Sequence, residues 1–287
     1  MKTVSPLPNF IYLGPSKAGS SWLFQVLKWH PETYITPAKD LYFFDRFFHR
    51  GVDWYSRQFE GAKGYRVVGE ISHDYLFSLK AAERMVNLIP DVRLMVCLRE
   101  PVARAFSAFL YLRKHGLCSP CFESALEEHS SFLAHGMYWS HLRSYLEIFS
   151  KSKIHICLFD SLEDNPVQFS QDVFSFLGVQ PLIIPKYLHS KTLPASTSRS
   201  SHLSRLIKSG ANLARKWGFA RQVGQIKASR GIQRLLYRSF RPDERPLLSE
   251  VMRARLTEIF RPDVTATAEL IGIDLPGIWG YSEGRKS

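Results

Sequence analysis

The chain is poor in cysteine, with four among 287 residues. A disulfide framework is therefore excluded as the source of its stability. Cys97 and Cys157 sit inside apolar runs and read as core residues. Cys118-Ser-Pro-Cys121 has redox or half-zinc spacing, but no second pair accompanies it and it reads as an ordinary loop. Long apolar runs are missing too. None approaches the roughly 18 residues that a membrane span needs, and the opening "MKTVSPLPNF" has no secretory hydrophobic region. A soluble cytoplasmic protein is the expectation. Acidic residues are scarce relative to basic ones, 26 against 38, for a net charge of +12. That balance favours anionic partners, whether nucleotides, acidic glycans, membrane surfaces or nucleic acid.

What is present is globular: 45% hydrophobic and 13% aromatic residues, enough to exclude disorder. Residues 10–13 (FIYL) read as a buried strand ending at Gly14, followed by helical periodicity over residues 20–29 that Pro31 closes. Residues 65–69, 93–98 and 154–159 read as further strands. Helices are expected near 79–88, 101–114, 139–149 and 166–177. Strands alternating with helices predict an α/β fold, a central parallel sheet flanked by helices, with ligands at the carboxyl ends of the strands. After Gly178 comes a Ser-rich stretch, then a basic helical pattern over 202–238 and helix-like segments near 246–260 and 263–271. No internal repeat or long linker divides the chain. It reads as one domain, 1–287, with an α/β core at 8–180 and a basic helical part of the same domain at 181–287.

The stretch "GPSKAGSSWL", residues 14–23, joins the first strand to the first helix. A glycine-rich loop in that context presents backbone N–H groups and the Ser20 and Ser21 hydroxyls to a phosphate. The G-K-[ST] ending of a nucleoside-triphosphate loop is absent. Lys17 precedes Gly19, and Ser20 follows it. A second motif, "CLREPVARAFSAF", puts Arg99 at the end of the clearest strand and Ser107 eight residues on. An arginine fork with a supporting hydroxyl suits a phosphate.

Together the two motifs resemble the sulfotransferases that use 3′-phosphoadenosine 5′-phosphosulfate (PAPS), on a fold related to the P-loop nucleotide triphosphatases. "PAKDLYFFD" and "VGEISHDYL" are similar to segments of the glycan-modifying, heparan sulfate sulfotransferase-like branch, and a soluble member of bacterial type is indicated. Asp40, Ile71 and His73 stand where that branch commonly has Glu, a basic residue and Pro. The resemblance implies that Ser16, Lys17, Ala18, Gly19, Ser20, Ser21 and Trp22 hold the 5′-phosphosulfate. Arg99 and Ser107 would hold the 3′-phosphate, with Arg199 reaching it from the loop at 191–201. It implies no metal, and 3′,5′-adenosine bisphosphate as the product.

Lys17 would then face the bridging oxygen of the leaving group, and Lys39 would add charge near the sulfate. Asp40 is the first candidate base by its place in the motif, Glu70 at the end of the "YRVVGE" strand the second, and His73, whose reference pKa suits base work near neutrality, the third. A small-molecule or glycan acceptor, a carbohydrate, lipid or secondary metabolite, is implied, and nucleic acid is not expected. Two other functions compete: an NTP-dependent kinase on the same loop, and a basic protein that binds anionic surfaces through its C-terminal third.

Overall fold

The computed structural model describes residues 6–189 and 246–282, together with the strands at 196–198 and 237–239 and residue 210 between them. Five strands form a parallel sheet: β1 (Phe10–Gly14), β2 (Thr33–Ile35), β3 (Val67–Ile71), β4 (Arg93–Leu98) and β5 (Ile154–Leu158), in the order β2-β3-β1-β4-β5. Residue alternation sends their side chains into two apolar layers, as a doubly covered parallel sheet requires.

Ile11, Leu13, Val68, Leu94, Val96 and Leu98 enter one layer. There they meet α3 (Leu79–Leu88), α4 (Pro101–Lys114), α7 (Trp139–Ile148) and the long α10 (Glu250–Ile271). Phe10, Tyr12, Val67, Met95 and Cys97 enter the other, against α1 (Ser20–Trp29) and α9 (Pro166–Leu177). Each fully buried Leu, Phe or Val adds roughly 1.5–3 kcal/mol, so these two layers carry most of the fold's stability. The remaining helices are α2 (Gly51–Ser56), α5 (Phe122–Glu128), α6 (Ser131–Ala134), α8 (Phe159–Asp164) and α11 (Leu275–Trp279).

Several boundaries differ from expectation for physical reasons. β2 is only three residues long and precedes no alternating pattern, so it carries no sequence signal. The segment between 246 and 271 holds one helix, Glu250–Ile271, not two, with Pro262 inside it. Tertiary bonds hold that turn, since Arg261 and Asp263 on either side of the proline are both engaged. Within the stretch read as basic and helical, Tyr237–Ser239 is a strand, β7, pairing antiparallel with β6 (Ser196–Ser198). The rest of the basic stretch lies outside the described residues.

The chain leaves β1 toward β2 on one side and leaves β4 toward β5 on the other. Those diverging connections open a crevice at the carboxyl ends of β1 and β4, the place where such sheets bind ligands. Both motifs singled out in the sequence end there.

Candidate active site

The loop after β1 is built by glycines that cannot be replaced. Gly14 has φ of 126°, and a Cβ on it would lie 2.3 Å from the His73 carbonyl oxygen. Gly14→Ala therefore adds backbone strain to a clash with main chain, and should cost about 3 kcal/mol. A urea midpoint within error of the parent's would show that the loop yields. Gly19, at φ 83°, is packed against Leu162 of α8. From beneath, the Tyr12 hydroxyl reaches the carbonyls of Pro15 and Ala18, at 3.2 Å each.

Gly19 is also the N-cap of α1 and offers no side-chain cap, and the first turn of the helix holds no acidic residue. The N–H groups of Ser20, Ser21 and Trp22 precede the first intrahelical bond, Leu23 N–H to the Gly19 carbonyl at 3.0 Å. A helix start with orphan donors and no carboxylate is an anion site. The Trp22 ring is not part of it: it is buried, edge-on to Phe169, with its N–H on the Leu188 carbonyl. Only the Trp22 amide is left for a phosphate. Ala18 is fully buried, and Ser16 is partly exposed in the loop.

Cations converge on this helix start. The Lys39 ammonium donates to the Ser20 and Ser21 hydroxyls at 3.1 and 3.2 Å. Burial pulls its pKa below the usual lysine value, and Asp40 beside it opposes that shift. A bound anion beside it would favour the charged form. Lys17, itself at φ 71°, holds its ammonium 4.9 Å from the centre of the Tyr111 ring on α4. Ser107 lies one turn before Tyr111 and so shares its face of that helix. The Arg99 guanidinium donates to the Lys17 carbonyl at 2.8 Å and lies 4.3 Å over the Phe159 ring. Its pKa is lowered by burial, with Glu163 the leading opposing charge. The two motifs thus touch, although 82 residues separate Lys17 from Arg99. Arg199 lies outside the described residues.

The three candidate bases separate sharply. Asp40 Oδ1 lies 2.6 Å from His73 Nδ1, with the two side chains 17% and 25% exposed. The Asp40 amide bonds to the Ile71 carbonyl at 2.9 Å, which fixes the loop to the end of β3. Burial would lower the His73 pKa, but Asp40, helped by Asp74, outweighs it and the net shift is upward. Tyr42 places its hydroxyl 3.3 Å from His73 Nε2. Among the described residues, the non-glycine positions with positive φ are Lys17, Asp40 and Tyr42. Such strain persists where surrounding structure imposes it, and it gathers at working sites.

Glu70 is different. It is fully buried beside the Tyr55 and Tyr75 hydroxyls, and neither carboxyl oxygen makes a well-formed hydrogen bond. Burial pushes its pKa up to about 8 against the lowering effect of the Tyr75 and Tyr55 hydroxyls. Burial thus favours its protonated form, and none of its surface is exposed to an acceptor. The loop at 118–121 shows no chemistry either: the Cys121 thiol donates to Glu123 at 3.0 Å.

The sulfotransferase domain profile matches residues 7–223, three-quarters of the chain. The chain belongs to the sulfotransferase family. A human sulfotransferase relative, bifunctional heparan sulfate N-deacetylase/N-sulfotransferase 3, is 29% identical over 216 residues, covering 67% of this chain and 24% of that protein. Mouse heparan sulfate glucosamine 3-O-sulfotransferase 3B1 is 27% identical over 192 residues, covering 64% and 49%. The chain spans half or less of these relatives' length. The crystal structure of a sulfotransferase from Alicyclobacillus acidocaldarius superposes with a TM-score of 0.69 at 27% identity, covering 96% of this chain and 99% of that one. A mouse sulfotransferase complexed with PAP, at 14% identity and a TM-score of 0.51, shares the fold.

Tyr12, Tyr42, Asp74 and Tyr138 touch the candidate residues: Tyr12 the loop after β1, Tyr42 and Asp74 the His73 ring, and Tyr138 the Arg99 carbonyl. Tyr42 and Asp74 fall inside "PAKDLYFFD" and "VGEISHDYL", where nothing singles them out, and Tyr12 and Tyr138 lie outside the motifs. Each acts through a contact that only folding creates.

Proposed function

We propose that the protein transfers a sulfuryl group from PAPS to a hydroxyl of a glycan. The observation that carries this is the Arg99–Lys17 contact. It sets the start of α1 beside the arginine that follows β4, and a nucleotide phosphorylated at both 3′ and 5′ positions needs two such groups side by side. Ser16 to Trp22 would hold the 5′-phosphosulfate by backbone N–H groups and hydroxyls, while Arg99 and Ser107 would hold the 3′-phosphate.

Once bound, that donor supplies an activated sulfuryl group. The chain's own residues do the rest. Lys17 neutralises charge on the bridging oxygen as the bond to sulfur breaks, and Lys39 holds the Ser20 and Ser21 side of the transferring group. Asp40 takes the acceptor's proton, and His73 keeps its carboxylate aligned. The acceptor side is furnished by the segment that follows Asp40. There the Arg46 guanidinium lies 4.0 Å over the Tyr42 ring, and Arg50 lies 4.6 and 4.8 Å over Phe47 and Trp54. Aromatic faces with arginines suit sugar rings bearing negative groups. Heparan sulfate in the names of the two relatives supports the same class.

A thermal-shift comparison tests the donor assignment. 3′,5′-Adenosine bisphosphate should raise the melting temperature by several degrees, in proportion to its saturation. ATP with magnesium should do so far less. Stabilisation by ATP alone would replace this proposal with the kinase.

A further inference from the structure

Residues 246–282 lie beyond the span that matches the sulfotransferase domain, yet they reach the two residues that follow β4, Glu100 directly through Tyr281 and Arg99 through Tyr138. The Tyr281 hydroxyl donates to Glu100 Oε1 at 2.5 Å. The same carboxylate caps α4, with Oε1 taking the Val102 N–H at 2.8 Å and Oε2 the Ala103 N–H at 2.6 Å. Asp263 on α10 caps α7 from across the molecule by accepting the N–H groups of Tyr138 at 2.6 Å and Trp139 at 3.2 Å. The Tyr138 hydroxyl then donates to the Arg99 carbonyl at 2.7 Å. Arg261 donates to the Tyr281 carbonyl, which pins the segment's end. Trp279 bonds Asp160 at 3.1 Å on α8, next to the Phe159 ring that lies under the Arg99 guanidinium.

We propose that α10 and α11 form a clasp that positions Arg99 for the donor's 3′-phosphate, with Tyr281 and Tyr138 as its positioning residues. The inference rests on the donor-site assignment above. Tyr138, fixed by Asp263 of α10, holds the Arg99 carbonyl on one side, and Tyr281 holds the carboxylate of the next residue on the other. Rotation of the backbone at the end of β4 is thereby blocked, and the guanidinium keeps one direction into the crevice. A planar fork recognises a phosphate only when its direction is set. Tyr281 is itself 3% exposed, so its bond to Glu100 is shielded from competing water.

The test compares 3′,5′-adenosine bisphosphate with 5′-AMP, which lacks the 3′-phosphate, by calorimetric titration of the full chain. Tyr281→Phe should weaken the bisphosphate about tenfold and leave 5′-AMP within about twofold. In an Arg99→Ala background the same change should have no further effect, because the clasp then has nothing to aim. Tyr138→Phe, which removes the other anchor, should repeat the pattern and serves if Tyr281→Phe does not fold. Equal loss for both nucleotides would make the segment a general structural support and overturn the inference. Undiminished bisphosphate binding in both folded variants would overturn it too. Wild-type protein that binds the two nucleotides equally would instead refute the 3′-phosphate role of Arg99, and the clasp with it.

Discussion

Lys17→Asn, which keeps a residue that tolerates the φ of 71° at this position, should lower kcat for sulfuryl transfer by about 10²–10³-fold, the usual result of removing one group that stabilises charge formed in the transition state. Affinity for 3′,5′-adenosine bisphosphate should fall much less, because the α1 amides, Lys39 and Arg99 remain. The geometry explains the split. The Lys17 main chain is part of the loop and is tied to Arg99 through its carbonyl. Its half-buried side chain carries the ammonium to 4.9 Å from the centre of the Tyr111 ring on α4. The side chain is thus placed to follow charge that appears late, on the leaving oxygen. Transfer of radiolabelled sulfate to an undersulfated heparan-type polysaccharide is the measurement, and wild-type turnover in the variant would remove Lys17 from the chemistry.

Asp40→Asn should lower kcat by about 10²–10⁴-fold. Asparagine is the informative replacement because position 40 has φ of 63°, a conformation that Asn tolerates and Ala does not. Loss of activity without loss of fold then reports on the carboxylate. The pH dependence follows from the partner. Protonated His73 pairs with Asp40 and weakens it as a base, and the His73 pKa is raised above the ordinary value near 6.5. Below that raised pKa the pair holds its proton and turnover is low; above it the proton is lost and turnover rises. The wild-type profile should therefore climb on the alkaline side of an ordinary histidine. His73→Gln should move the limb toward the acidic range of an isolated carboxylate. A limb unmoved by that change would separate His73 from the base.

Much of this site was legible before folding. The strand, glycine loop and helix around residues 10–29 announce themselves locally, because a helix start without a carboxylate and with glycines at fixed offsets is written in adjacent residues. The same holds for Arg99 at the end of an unbroken apolar strand, and for α9, opened by Asn165-Pro166 and closed at Gly178. Sequence ranks Asp40 first for its place in the motif, ahead of Glu70 and His73. All three are ionisable residues near strand ends, however, and their burial is not written in their types. Folding turned Glu70 into the core beside Tyr55 and Tyr75 and set Asp40 against His73. The difference arises because adjacent residues on a strand face opposite layers, while a turn after β3 brings His73 to the loop after β2.

The sequence by itself determined the α/β alternation, the glycine loop between β1 and α1 and an arginine directly after β4, since each depends on neighbours within a few residues. Only the tertiary structure decided that this loop and that arginine touch through Arg99 and Lys17, and that a partly exposed Asp40–His73 pair stands nearby while Glu70 is sealed away. It alone showed Tyr281 bonded to Glu100 just after β4. Burial and long-range hydrogen bonds set charge state and direction, and neither is encoded in the spacing of residues along the chain.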